Sequence, residues 1–199
     1  MLSRIIFGTI ALFYCSTLFA AAVTKPLRAQ EVATLPQTFE GNAILKQKEH
    51  EDLLISIENW LSSQFDLPTI NHHPRVELVA PSTIASLAYK KLLSDPSVLA
   101  DSEMTGSQPD TVSLYDDVTQ TIYLPKGWAG SADVEVSVLV HEMVHHFQNL
   151  LGFKYACAQE REKLAYMAQD RWLARSGLSL ASEFDLDPFS LLVATTCKY

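Results

Sequence analysis

The chain has 199 residues, is 48% hydrophobic and 19% charged, and carries a formal net charge of −8. That is an ordinary globular composition, which excludes a repeat or low-complexity protein and fits one domain with its own core. The acidic balance and the absence of any Lys/Arg cluster argue against a nucleic-acid or anionic-membrane partner.

At the start, MLSRIIFGTIALFYCSTLFAAAVTKP sets one arginine before an apolar run from Ile5 to Phe19, followed by small residues with Ala20 and Ala22 at cleavage spacing. This reads as a signal peptide over residues 1–22, so the mature protein is expected to be exported, periplasmic or secreted, with no stable membrane insertion once the leader is cut. If Cys15 leaves with the leader, Cys157 and Cys197 remain, and a pair in an oxidising compartment is most simply a disulfide. Such a bond closes a loop of about 40 residues, typically worth about 3–4 kcal/mol.

Residues 23–40 are mixed and polar, with Pro26 and Pro36, and read as a loosely ordered lead-in to a single domain over 41–199. Next, ILKQKEHEDLLISIENWLSSQF places Leu53, Leu54, Ile57, Trp60 and Leu61 near helical spacing, which predicts an amphipathic helix. PRVELVAP alternates between prolines and reads as a strand, and PSTIASLAYKKLLS follows as a second helix with proline in its first turn. Ala100 to Asp110 reads as a loop, and TVSLYDDVTQTIYLP as a hairpin. Ser131 is placed to cap a long helix ending at Gly152, another helix is expected from about Gln159 to Arg175, and DPFSLLVATT forms a short last one. The fold class is therefore α+β, mostly helical, with one small sheet.

The long helix carries the chemistry. In SVLVHEMVHHFQNLL, His141 and His145 are four apart and project from one face, where two imidazoles can share a tetrahedral zinc. Glu142 between them is placed to take a proton from a zinc-activated water, the H-E-x-x-H pattern. Burying these groups on an apolar helix without a common partner would be costly. A third ligand leaves one coordination position open for water, and AQEREKLAYMAQDRWLA offers Glu160 and Glu162, of which Glu162 shares a face with Tyr166 and Gln169. Gln148, seven residues after His141, is placed to brace the site, whereas the neighbouring His146 faces about 100 degrees away and reads as a surface or hydrogen-bonded residue. His72 and His73 read as a solvated turn with a weaker reading as a metal pair; TIYLP as a cleft-lining strand with Tyr115 or Tyr123 near the metal; and Trp60, Trp128 and Trp172 as core or rim.

At HEMVH followed by a glutamate-bearing helix, the sequence resembles the zincin metallopeptidases, specifically the gluzincin group. The resemblance implies zinc held by His141, His145 and Glu162, Glu142 as catalytic base, and a sheet or hairpin packed beside the first of two ligand-bearing helices. In EKLAY, Tyr166 stands where that group often has an aspartate, so the usual carboxylate support of a zinc histidine is unassigned and the tyrosine hydroxyl is a candidate catalytic group. From about Tyr115 to Leu173 the chain also looks like a family of small exported bacterial proteins of unassigned function. The expectation is an exported zinc-dependent metallohydrolase acting on a peptide or protein substrate; the alternative is a non-catalytic binding module on the same scaffold with its zinc retained.

Overall fold

The computed structural model describes residues 37–94 and 112–197, with side chains from Lys48 onward except those of Leu92 and Ser94. The expected leader, most of the lead-in and the loop from Ala100 to Asp110 lie outside the described residues. The elements run α1 (Gln37–Phe65), β1 (Arg75–Val79), α2 (Pro81–Ser94), β2 (Leu114–Asp116), β3 (Thr121–Pro125), α3 (Asp133–Leu150), α4 (Ala158–Ala174), α5 (Leu180–Phe184) and α6 (Pro188–Thr195). The architecture is mostly helical with one small sheet, the expected α+β class. Among the described residues no helix is long and apolar enough to cross a membrane.

The sheet has the order β1-β3-β2. β3 pairs in parallel with β1, matching Val76 to Ile122, and antiparallel with β2, matching Tyr115 to Ile122. The expected hairpin is therefore β2–β3. Its turn is set by Asp116, whose carboxylate accepts from the backbone N–H of Val118, and Gln120 takes the left-handed conformation before β3 begins. The central position of β3 explains why Ile122 and Leu124 are fully buried, while β2 remains an edge strand.

Helix α3 is the hub of the core. Val140, Met143, Val144 and Phe147 are fully buried, and so is much of its remaining surface, which is what an internal helix requires. Leu54, Ile57 and Leu61 of α1, Ile122 and Leu124 of the sheet, and Ala165, Ala168 and Trp172 of α4 share that core. The small side chains Ala165 and Ala168 face it with no exposure, so α4 can approach α3 closely. Trp60 meets Trp172 edge to face at 5.0 Å, and Trp128 is buried with its Nε1 donating to the Glu135 carbonyl at 3.0 Å, so all three tryptophans are core or rim as expected.

Several boundaries differ from expectation. Helix α1 begins at Gln37, inside the stretch read as lead-in. The N-cap of α3 is Ala132, not Ser131; the orphan amides are met by Glu135, whose carboxylate reaches back to the backbone N–H groups of Ser131 and Ala132. Helix α5, capped by Ser179 through its acceptance from the Ser182 N–H, was not expected, since five residues hold too little pattern to show a period. Cys157 and Cys197 are joined as expected, with Cα atoms 5.8 Å apart, which ties the end of the chain to the first turn of α4.

Candidate metal centre

His141 and His145 stand on successive turns of α3, and Glu162 reaches them from the first half of α4. His141 Nε2 lies 3.2 Å from His145 Nε2 and 3.1 Å from Glu162 Oε2, and the His145 Nε2 to Glu162 Oε2 distance is 3.3 Å. The three atoms form a nearly equilateral triangle. Ligands about 2.0–2.1 Å from a tetrahedral ion are separated by about 3.3 Å, so the triangle has the size such an ion requires. Among the described residues this is the one group of its kind. Glu160 is elsewhere: its carboxylate accepts from the Ala156 N–H at 2.6 Å, just ahead of α4, so the structure brings Glu162 and not Glu160 to the histidines.

The imidazoles are oriented from behind by amides. His141 Nδ1 is 3.1 Å from Gln169 Oε1, and His145 Nδ1 is 2.9 Å from Gln148 Oε1. If each Nδ1–H donates to its glutamine carbonyl, each Nε2 presents a lone pair to the triangle. The glutamines are themselves anchored. Gln148 Nε2 donates to the Arg161 carbonyl at 2.9 Å, and Gln169 Nε2 to Ser137 Oγ at 3.4 Å. The support sought in a carboxylate is thus supplied by two buried amides. Gln148 is the brace that its spacing from His141 suggests, whereas the sequence signals the role of Gln169 only through its place on the face of Glu162.

The electrostatics favour positive charge at the centre of the triangle. Burial would raise the Glu162 pKa, but the adjoining histidines, His145 foremost, outweigh it and hold the carboxyl well below the usual range. His145 is shifted the other way: burial would lower its pKa, yet the Glu162 carboxylate prevails and raises it. These donors gather a cation, and a proton is the simplest one.

The centre opens into a cleft of about 540 Å³. Glu142, only 5% exposed, lines it next to the histidines, and Ser113 Oγ donates to its Oε1 at 2.5 Å. Ser113 immediately precedes β2, so the strand at the cleft is the edge strand β2 rather than TIYLP, which forms the central β3. Tyr166, one turn after Glu162, also lines the cleft and meets the His141 ring edge to face at 4.7 Å. Burial, reinforced by Glu162 and Glu142, pushes its hydroxyl up to about 12, so it remains a proton donor at neutral pH.

The other polar residues serve the scaffold. His146 is fully buried, its Nε2 donating to the His72 carbonyl at 2.7 Å and its Nδ1 accepting from the Tyr115 hydroxyl at 2.9 Å; burial lowers its pKa, which suits a neutral ring. Tyr115 is thereby committed to α3, accepting also from Asn149 Nδ2, and Tyr123 does not line the cleft. His72 and His73 are not gathered as a metal pair. His73 Nε2 instead meets Glu58 Oε2 at 2.6 Å, while Glu58 Oε1 accepts from the Ile70 N–H.

Fold and site together define an α+β protein in which two helices present a His/His/Glu group that could hold a metal ion beside a buried carboxylate. The chain belongs to the family described as domain of unknown function DUF6647, whose model matches residues 46–199. No curated protein and no solved structure matches it.

Proposed function

We propose that this chain is an exported zinc-dependent metallohydrolase of zincin type, with a gluzincin-like ligand set, and that it cleaves peptide bonds. The observation carrying this reading is that three ligand atoms, 3.1–3.3 Å apart, share one cleft with the buried carboxylate of Glu142. Two imidazole nitrogens and one carboxylate oxygen are a donor set suited to zinc, and three protein ligands leave a position for water or substrate. The disulfide supports an oxidising compartment.

A zinc ion held by His141, His145 and Glu162 would supply Lewis acidity and would lower the pKa of water toward neutrality. Glu142, buried beside these residues, is placed to take a proton from water and to return it to the departing amine. Its Oε1 is held by Ser113, which fixes the carboxylate and leaves Oε2 for the proton transfer. Tyr166, kept protonated by its surroundings, donates a hydrogen bond to the carbonyl oxygen as negative charge develops. Edge strand β2, with Ser113 and Leu114 at the cleft, offers backbone groups for pairing with an extended peptide.

The test is zinc content of the purified protein beside three variants. One zinc per chain is expected in the wild type and in Glu160→Ala, and loss or strong weakening in Glu162→Ala. Glu142→Gln should keep its zinc and lose cleavage of a peptide library. An active Glu142→Gln protein, or a folded wild type that takes up no zinc, overturns the reading. A wild type that binds zinc and cleaves nothing supports the binding-module alternative.

A further inference from the structure

The cleft has a wall the reaction itself does not use. Phe184 and Leu186 line it from the carboxy-terminal segment, and they face a site built otherwise from α3, α4, the start of β2 and Lys91 of α2. They flank Asp185, which takes the left-handed conformation at the end of α5 and sends the Leu186 N–H back to the Leu180 carbonyl at 3.3 Å. Leu180 is fully buried and its N–H is held by Asp170 Oδ1 at 3.0 Å. Beyond the turn, Asp187 caps α6 and Cys197 is bonded to Cys157. The two apolar side chains are therefore carried by a segment fixed on both sides.

Other apolar groups meet the same space. Val138 lies one turn before His141, Tyr166 one turn after Glu162, and Leu114 on the edge strand. The cations among the described lining residues, Lys91 and Arg161, both engage Asp117, at 3.0 Å for Lys91 and through two guanidinium nitrogens for Arg161. Among the described residues, charge in the cleft is thus confined to the metal centre and to this internally paired cluster. A substrate side chain entering beside Phe184 and Leu186 meets apolar surface, and burying an aliphatic or aromatic group there is favoured over a charged one.

The geometry points to Phe184 and Leu186 as specificity-determining residues that select a peptide with an aliphatic or aromatic side chain next to the scissile bond. The inference rests on the metallohydrolase reading above, and its test separates the two. Zinc-loaded full-length protein is titrated by calorimetry with acetohydroxamate and with hydroxamates bearing isobutyl, benzyl or carboxymethyl groups. The isobutyl or benzyl ligand is expected to bind about tenfold or more tighter than acetohydroxamate, and the carboxymethyl ligand no tighter.

In Phe184→Ala and Leu186→Ala that advantage shrinks while acetohydroxamate binding and zinc content hold. Leu186→Lys should reverse the order and favour the carboxymethyl ligand, a gain that misfolding cannot produce. Zinc-dependent binding with affinities independent of the side chain, or variants that keep the wild-type order, overturns this inference and leaves the metal centre standing. Failure of every hydroxamate to bind the zinc-loaded protein overturns the open coordination position on which the metallohydrolase reading depends, and this inference with it.

Discussion

At the scale of single residues, the histidines depend on the amides behind them. Gln169 and Gln148 are 5% and 2% exposed, and each uses its carbonyl on an imidazole and its amino group on a protein acceptor. Replacement by leucine keeps the approximate volume but leaves Nδ1 without an acceptor, freeing the ring to turn or change tautomer. Gln169→Leu and Gln148→Leu are expected to weaken zinc binding about 10–100-fold, measured by competition with a chromophoric chelator. Unchanged affinity in both would show that the amides do not orient the ligands. The histidine pair itself is legible in the sequence because helical spacing alone puts positions 141 and 145 on one face. The glutamine pairings were not, because Gln169 meets His141 across 28 residues of chain, and that contact exists only once α3 and α4 have packed.

At the scale of elements, the β2–β3 hairpin is fastened to the helices that bear His141, His145 and Glu162. Asp117, in its turn, binds Arg161 of α4 through both carboxylate oxygens and Lys91 of α2, and its carbonyl accepts from Asn149 of α3. Burial would raise the Asp117 pKa, but the hydrogen bonds and charges of Arg161 and Lys91 prevail and lower it. A carboxyl whose folded pKa lies below its unfolded value adds stability above the unfolded value, 3.8, and loses it as pH falls through the folded one. Asp117→Asn should therefore lower Tm at pH 7, by an amount equivalent to about 1–3 kcal/mol for a half-buried charged pair, and the difference from wild type should narrow below pH 4. Thermal unfolding of both proteins at pH 7 and pH 3 measures this; a gap that does not narrow rules out the ionised pair as its source. The strand residues and the hairpin were readable from alternation and turn chemistry. Which strand borders the cleft was not, because TIYLP has the longer alternating run, yet its pairing with both β1 and β2 buries it in the middle of the sheet.

At the scale of the whole molecule, the disulfide joins what the chain order separates. The bond between Cys157 and Cys197 closes 40 residues containing α4, α5 and α6, and so encloses Glu162, Gln169, Phe184 and Leu186 in one loop. The cysteine pairing followed from their number and the expected compartment. That the enclosed segment returns to wall the cleft did not, because Phe184 and Leu186 sit at the end of a five-residue helix and acquire their neighbours only through the α4 packing. A loop of this length is worth about 3–4 kcal/mol in the chain-entropy model, so the double variant Cys157→Ser, Cys197→Ser should lose roughly that much in denaturant unfolding, with little change in slope. The loss should not fall evenly on function. His141, His145 and Glu162 belong to α3 and α4, which share the buried core, whereas α6 buries no residue fully and is held at its far end by the disulfide. Zinc content of the double variant should therefore persist under conditions where it remains folded, while proteolysis with a nonspecific protease cuts first within residues 176–197. Early cleavage within α3 or α4 instead would mean that the bond stabilises the ligand helices directly rather than holding the outer wall of the cleft in place.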